Sequence, residues 1–385
     1  MFVTLLILRN AWRHKLRTGL TILGIVVAIT AFGLLRTIVD AWYAGANASS
    51  SARLVTRSSI SLVFPLPLTY AAKIRQVSGV TGVSWANWFG GTYIRASNFF
   101  PQFAVDAPTY LKLYPEIVLT DAARKAFLAD RRGAIVGRKL AERFGWKVGD
   151  QIPLKGTIYP GTWTFNLRGI FEGLDRATDT SSMYFHWSYL NETLRQTSAR
   201  RAEQTGVFIV GLDDPSRAAE ISTTVDAMFR NSIAETLTET ERAFQLSFIA
   251  MTEAILVAIQ AVSFVILVII MAVMANTMAM TARERGAEYA TLKALGFGNG
   301  FVAGIILAES LGIALAGAAL GILATYPLAA AFGDAMGSLF PIFFVSKGTV
   351  LMQVAAAIVV GVIAALVPAW RSARLSIVDG LRSIG

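Results

Sequence analysis

The chain has 385 residues, with 54% hydrophobic residues, only 16% charged ones and no Cys. A soluble globular domain is usually near a quarter charged, so the apolar excess points to an integral membrane protein, and the missing Cys excludes disulfides, thiolate chemistry and Cys-ligated metals. The net charge is +10, which raises nucleic-acid binding as an alternative until the charges are placed along the chain.

A basic arm, 1–17, carries Arg9, Arg13, Lys15 and Arg17, with His14 placed at the membrane surface. The residues from Thr18 to Leu35 are uncharged, and a helix rising 1.5 Å per residue needs about 20 apolar residues to cross a bilayer core. The first span is therefore placed at 18–40, with Arg36 snorkelling. Small residues follow at Ala44, Ala46 and Ala48, as after a signal peptide, but the apolar run exceeds the usual 7–15 residues. An uncleaved anchor is expected.

The segment 41–245 reads as a large α+β domain. ISLVFPL and TYIRA are read as strands, Thr69 to Gln76 as a helix, and SGVTGV as a turn and strand. IVGRKLAERFGWKVGDQIPL is the clearest unit: a strand, then an amphipathic helix with Leu140, Ala141 and Phe144 on one face. Gly145 ends that helix, and Gly149-Asp150 turns into the next strand. TWTFNLRGIFEG alternates as a strand should, and VFIVGL is a further strand. The Pro-containing start of DDPSRAAEISTTVDAMF predicts a helix. From Thr240 a helix is expected to run without a break into the second span.

Aromatic residues are dense in this domain, among them Trp85, Trp88, Phe89, Tyr93, Phe99, Phe100, Phe103, Tyr159, Trp163, Phe165, Tyr184, Phe185, Trp187 and Tyr189. A surface for hydrophobic cargo and ordinary core packing both account for them, and core packing is the simpler expectation. His186, among these rings, is read as a packed residue. Glu172, Asp175 and Asp179 form an acidic cluster with no basic partner at clear spacing, read as a solvated loop.

Three further spans are placed at 246–280, 300–332 and 349–370, with a short connection at 333–348 and a basic tail at 371–385. Lys and Arg concentrate in the arm, in the insert at 281–299 (Arg283, Arg285, Lys293) and in the tail (Arg371, Arg374, Arg382). With four spans these three pieces share one side, which by the positive-inside rule is the cytoplasm. Both termini are then cytoplasmic, and 41–245 is one extracytoplasmic domain. This placement accounts for much of the positive charge without nucleic acid.

The insert, NTMAMTARERGAEYATLKALG with its flanks, is far longer than a helical hairpin needs. Glu284, Ala287 and Glu288 share one helical face, and Tyr289 and Leu292 lie on another. A charged, exposed face of this kind suits docking onto a partner. Inside the membrane, Glu309 is an ionisable group about two turns into the third span. A functional role and a hydrogen-bonded packing role, through Asn276 or Thr277, stay open. Gly317 and Gly321 form a G-x-x-x-G, extended by Ala308, Gly312 and Ala316, which lets helices approach closely. Its partner could be another span or a second subunit.

No stretch reads G-x-x-x-x-G-K-[ST]; Gly133 to Lys139 has the wrong spacing. No G-x-S-x-G elbow occurs, and the two histidines, His14 and His186, are too few for a His-rich metal site. The chain is expected to have no catalytic residues, cofactor or metal of its own.

Several pieces, in order, resemble the FtsX-like permease family, the membrane subunits of MacB-type ABC transporters. LRNAWRHKLRTGLTILGIVVAI resembles the family's opening, a basic amphipathic helix leading into the first span. NTMAMTARERGAEYATLKALG resembles its E-R-x-x-E-x-x-x-L-x-A-L-G signature, preceded by an Asn, here Asn276. LAESLGIALAGAALGILA resembles the start of the third span, with Glu309 and the spaced glycines. VPAWRSARLSIVDGLR resembles the closing segment, with Ile377 where the family often has Pro. IVGRKLAERFGWKVGDQIPL resembles a segment of the family's periplasmic domain.

The resemblance implies four membrane helices with a MacB-like α+β periplasmic domain inserted after the first, in a bacterial inner membrane. It implies a dimer of permease subunits, alike or different, working with a pair of ATPase subunits that bind ATP and Mg. The insert would be the coupling helix, with Arg283, Glu284, Arg285, Glu288, Tyr289 and Lys293 meeting the ATPase. The implied function is mechanotransmission driving export or extraction of a hydrophobic or amphipathic substrate (drug, lipid, lipoprotein or peptide), with a periplasmic adaptor and outer-membrane factor as further partners. The alternative within the family is a signalling subunit that activates a periplasmic cell-wall hydrolase.

Overall fold

In a computed structural model, residues 15–250, 252–336, 340 and 342–374 are described; the side chain of Asp334 is not among them. The expectations for the arm before Lys15 and for the tail beyond Arg374, including Arg382 and Ile377, lie outside those residues. The fold divides into a helical unit and an α+β unit.

Among the described residues, four helices are long and apolar enough to cross a membrane: Lys15–Ala48, Glu253–Glu284, Asn299–Gly333 and Lys347–Arg374. The third helix itself continues to Ala335. They are called the first to fourth spans below. Within the helical unit, buried Ile25 and Ile29 of the first span, Met274 and Met278 of the second, Ile306 and Ala314 of the third and Val360 and Ala364 of the fourth share one core. Small residues set the packing distance. A Cβ at Gly317 would lie 2.7 Å from the Ile25 Cβ, and one at Gly321 would lie 3.0 Å from the Ile29 Cβ. The G-x-x-x-G face therefore packs on the first span of the same chain.

Polar groups tie the same helices together. Gln353 donates to the Ile29 carbonyl and to Thr325 Oγ1, both at 2.9 Å, and Thr30 donates to the Gly321 carbonyl at 3.0 Å. At the other end of the first span, Asp40 accepts from Ser346 and Thr349, each at 2.8 Å, and pairs with Arg36 at 3.1 Å. Arg36 thus reaches a carboxylate one turn away. In a hydrocarbon setting such groups need internal partners, which the helical unit supplies for all of these donors and acceptors except Arg36 Nε and Gln353 Oε1.

The α+β unit is built on an eleven-stranded mixed sheet. Its path runs β13 (Thr236–Thr240), β1 (Arg53–Ser58), β12 (Val207–Leu212), β3 (Val80–Trp88), β5 (Gln102–Val105), β10 (Met183–His186), β7 (Gly133–Gly137), β9 (Gly161–Gly173), β8 (Gln151–Gly156) and β4 (Gly91–Thr92), with β6 (Ile117–Val118) on β9; β2 (Leu66–Pro67) pairs β11 (Gln204–Thr205) apart from it. Only β5–β10 and β7–β9 run parallel. Strand β9 alternates buried and half-buried residues along most of its thirteen, the period-2 pattern seen in TWTFNLRGIFEG. The strand–helix–strand unit lies at β7, Arg138–Phe144 and β8. Gly145 closes the helix at φ 68°, a left-handed conformation that favours glycine. The helix after VFIVGL begins as a short 3-10 turn at Pro215–Arg217, where Asp214 accepts from the Ser216 N–H, and becomes α-helical at Ala218–Met228.

Four local expectations are corrected. ISLVFPL is a turn region after β1 in which only the last residue, Leu66, joins a strand (β2), with Ile60, Val63 and Phe64 exposed. TYIRA contributes only Thr92 to a strand, because Ile94 turns the chain at φ 59°. The helix at Thr69 to Gln76 is shorter, Tyr70–Ile74. The helix from Thr240 does not continue into the second span; Glu241–Ala250 is separate, and the second span begins at Glu253.

The charged cluster is also ordered. Glu172 pairs with Arg138 at 2.6 Å, Asp175 accepts from the Ala177 N–H, and Asp179 accepts from Ser181 and Ser182. The basic partner of Glu172 was missed because it lies across the sheet, 34 residues away.

Where the chain enters and leaves the α+β unit, the two ends are cross-tied. Arg53, the first residue of β1, is 2.8 Å from Glu241 and 2.5 Å from Glu116, and it lies 4.1 Å from the centre of the Tyr114 ring. Burial opposes the charge on Arg53, but Glu241 and Glu116 more than offset this and hold the guanidinium above its ordinary value.

Candidate functional site

The insert forms the helix Gly286–Ala294, separated from the second span by Arg285 alone. Its C-terminal end is closed by Gly296 at φ 91°, with Gly296 N–H donating to Lys293 O at 3.0 Å and Phe297 N–H to Leu292 O at 3.1 Å. Gly298, in an extended conformation, then precedes the third span, which begins at Asn299.

Three ties connect this region to the spans. Arg285 donates from Nη1 to Glu309 Oε2 at 2.7 Å, with the two side chains 6% and 4% exposed. Glu284 accepts both Arg17 terminal nitrogens, at 2.7 and 2.8 Å, a fork-to-fork pair between the first span and the end of the second. Lys293 Nζ donates to the Ala373 carbonyl in the last turn of the fourth span at 2.6 Å. Between them Tyr289 is buried against the helical core, and that burial raises its phenol above the ordinary value.

The six residues expected to face a partner therefore divide. Arg283, Glu284 and Glu288 are exposed, whereas Arg285 and Tyr289 are buried and Lys293 is half-buried. Arg285 is corrected from a surface charge to an internal one, because the end of the second span turns it toward Glu309 rather than outward. Glu288 stands 3.9 Å from the same guanidinium. Glu309 has its partner in Arg285, not in Asn276 or Thr277. Asn276 is exposed on the second span, and Thr277 lies near Thr21 at 3.5 Å. Gly317 and Gly321 lie away from this cluster, at the contact with the first span.

The insert also has an apolar outer edge that periodicity did not reveal. Leu295 is 72% exposed, and Phe297 and Phe301, stacked 4.6 Å apart, are exposed beside it. The signal in the sequence is ALGFGNGF: glycines strip the neighbourhood of side chains that could cover two aromatics. Among the described residues no group of three or more His, Cys, Asp or Glu could hold a metal ion.

Of the aromatics in the α+β unit, Phe89, Phe100, Tyr159, Trp163, Phe165, Phe185 and Trp187 are core residues, as packing alone requires. Trp88 and Phe99 are exposed. His186 is buried, its Nε2 donating to the Phe127 carbonyl at 2.7 Å.

Residues 18–228 match the model of the MacB-like periplasmic core domain, and residues 260–377 match that of the FtsX-like permease C-terminal. No curated protein matches the chain. Similar solved structures include the extracellular domain of the noncanonic ABC-type transporter YknZ from Gram-positive bacteria, at 14% identity and TM-score 0.36, covering 49% of this chain and 98% of that one. The periplasmic region of MacB from Actinobacillus actinomycetemcomitans gives 8% identity and TM-score 0.37, with 51% and 92% covered. A domain of a putative permease protein from Porphyromonas gingivalis gives 13% and 0.35, with 49% and 90% covered. The first family match alone spans more than half of the chain, the second takes in the insert and the last two spans, and the four long apolar helices agree with both: this multi-pass membrane protein belongs to the FtsX/MacB-type permease family of ABC transporters.

Proposed function

We propose that the chain is the permease subunit of an ABC transporter in a bacterial inner membrane, with both termini and the insert on the cytoplasmic side. A separate ATPase subunit would bind ATP and Mg and dock on the insert. Closure of two such ATPase subunits would move the insert and, through the spans, the domain outside, driving export or extraction of a hydrophobic or amphipathic substrate. The observation that carries this reading is the triple anchoring of the insert. The short helix Gly286–Ala294 is followed by the exposed apolar residues Leu295, Phe297 and Phe301 and is held at both ends: Glu284 and Arg285, just before it, pair with Arg17 of the first span and Glu309 of the third, and its own Lys293 bonds the fourth. A push on that apolar edge is passed to three helices at once, because ion pairs and packed side chains have few alternative arrangements.

The experiment is co-purification with candidate ABC ATPase subunits expressed together with this chain, followed by ATP turnover in nanodiscs. Leu295→Asp with Phe297→Asp should abolish complex formation while leaving the thermal melting of the permease alone unchanged. A double variant that still binds and activates the ATPase would refute the docking assignment. Failure of the unaltered chain to bind any ATPase would refute the function.

A further inference from the structure

The α+β unit carries an apolar surface patch with two arginines at its rim. Trp88, at the end of β3, is 41% exposed, and Phe99, 6.0 Å away between ring centres, is 47% exposed. The hairpin between β8 and β9 brings Ile158, 42% exposed, to the same place: a Cβ on Gly90 would stand 3.0 Å from Ile158 Cδ1 and 3.1 Å from Trp88 Nε1. Gly90 itself sits at φ 62°, so the lack of a side chain there serves the turn and leaves Trp88 and Ile158 adjacent.

Arg143 closes one end of the patch, its Nη1 3.5 Å from the Phe99 carbonyl, and its guanidinium stands 5.0 Å from the centre of the Phe144 ring. Arg201 closes the other, its Nη1 donating to the Ile158 carbonyl at 2.9 Å, with the guanidinium 4.6 Å from the centre of the Tyr159 ring. Among the described residues neither arginine has a carboxylate within ion-pair distance, in contrast to Arg53, Arg57, Arg138, Arg168, Arg195 and Arg217 of the same unit. Each guanidinium is held by a carbonyl and a ring face, which fix its position and leave its charge uncompensated.

We propose that this patch binds a single-chain amphiphile with an anionic head, its tail laid on Trp88, Phe99 and Ile158 and its head paired with Arg143 or Arg201. Charge complementarity selects this occupant: a neutral apolar ligand would leave the arginines unused, and an anion without a tail would leave the aromatics unused. The inference rests on the reading that this domain handles amphipathic cargo, and it names the cargo class.

The test uses the full chain in phosphatidylcholine nanodiscs and a long-chain fatty acid bearing a tail diazirine, with the matching fatty alcohol as the neutral control. After photolysis, peptides containing Trp88, Phe99 and Ile158 should carry adducts from the acid at least five-fold more often than from the alcohol. Arg143→Gln with Arg201→Gln should reduce acid labelling to the alcohol level, and Arg143→Lys with Arg201→Lys should retain it, which separates charge from folding. Equal labelling by acid and alcohol, or labelling confined to the four spans, would overturn the proposal. Labelling lost when two copies of the chain share a disc would assign the patch to a second copy instead. None of these readouts depends on ATP turnover, so their failure leaves the permease assignment standing and the two failures are told apart.

Discussion

Arg285, the single residue between the second span and the insert helix, donates to Glu309 in the third span at 2.7 Å, and both side chains are closed off from solvent. Two opposite charges buried together compensate each other, and removing one strands the other. Glu309→Ala or Arg285→Ala is therefore expected to destabilise the helical unit by about 3–5 kcal/mol, whereas Arg285→Met combined with Glu309→Leu should recover most of the loss. Unfolding midpoints of the three variants in nanodiscs check this. Single variants within 1 kcal/mol of the unaltered chain would show that the pair is not a strut.

The Gly317 and Gly321 face makes a second claim about packing. A Cβ at Gly317 would lie 2.7 Å from that of Ile25, so Gly317→Val must push the first and third spans apart. Overpacking of this kind costs about 1–3 kcal/mol. Gly312, whose Cβ would meet nothing within 4 Å, is the internal control. Gly312→Val should melt near the unaltered chain and Gly317→Val well below it, and equal melting of the two would remove the glycine face from the account.

What could be read from sequence here follows from the range of the interactions involved. The spans and the unit around Arg138–Phe144 are encoded by local pattern: apolar length in the one, period and a left-handed Gly145 in the other. The insert was visible as charge between two apolar runs, but the role of Arg285 was not, because a helix-face argument treats residues 283–293 as one helix. The helix instead restarts after Arg285, which rotates that side chain inward. Arg53 with Glu241, and Arg17 with Glu284, were invisible for a different reason. Each pair joins residues about 190 or more apart in sequence, and no periodicity reports such a distance. The strand expected at TYIRA failed where Ile94 takes a positive φ, which propensity does not anticipate for a β-branched residue.

His186 provides a pH dependence whose sign is determined. Burial lowers its imidazole below the ordinary value, only partly countered by the Phe127 carbonyl, so the folded chain holds the ring neutral. The unfolded chain takes up the proton near pH 6.5. The stability contributed by the neutral ring is complete above about pH 6.5 and is lost as the pH falls from there through the lowered folded value. Denaturant unfolding of the α+β unit within the full chain should show this loss below pH 6.5, and His186→Gln, which keeps an N–H for the Phe127 carbonyl, should remove that component. An identical pH profile for both proteins would contradict it.

The Arg17–Glu284 pair separates coupling from stability. The two side chains are about a quarter to two fifths exposed, and solvent-screened ion pairs contribute little to stability, so Arg17→Gln should leave melting and ATPase binding nearly unchanged. The pair nevertheless joins the start of the first span to the end of the second, and these are the two helices whose far ends lead into the α+β unit. If movement of the insert reaches that unit through them, untying the pair lets the second span move without the first. Arg17→Gln and Glu284→Gln are each expected to change ATP turnover of the assembled complex several-fold. The exchange Arg17→Glu with Glu284→Arg should restore it, since the double-mutant cycle isolates the pair from each residue's other contacts. Turnover unchanged in both single variants would move the coupling route to Arg285 and Lys293, which remain tied to the third and fourth spans.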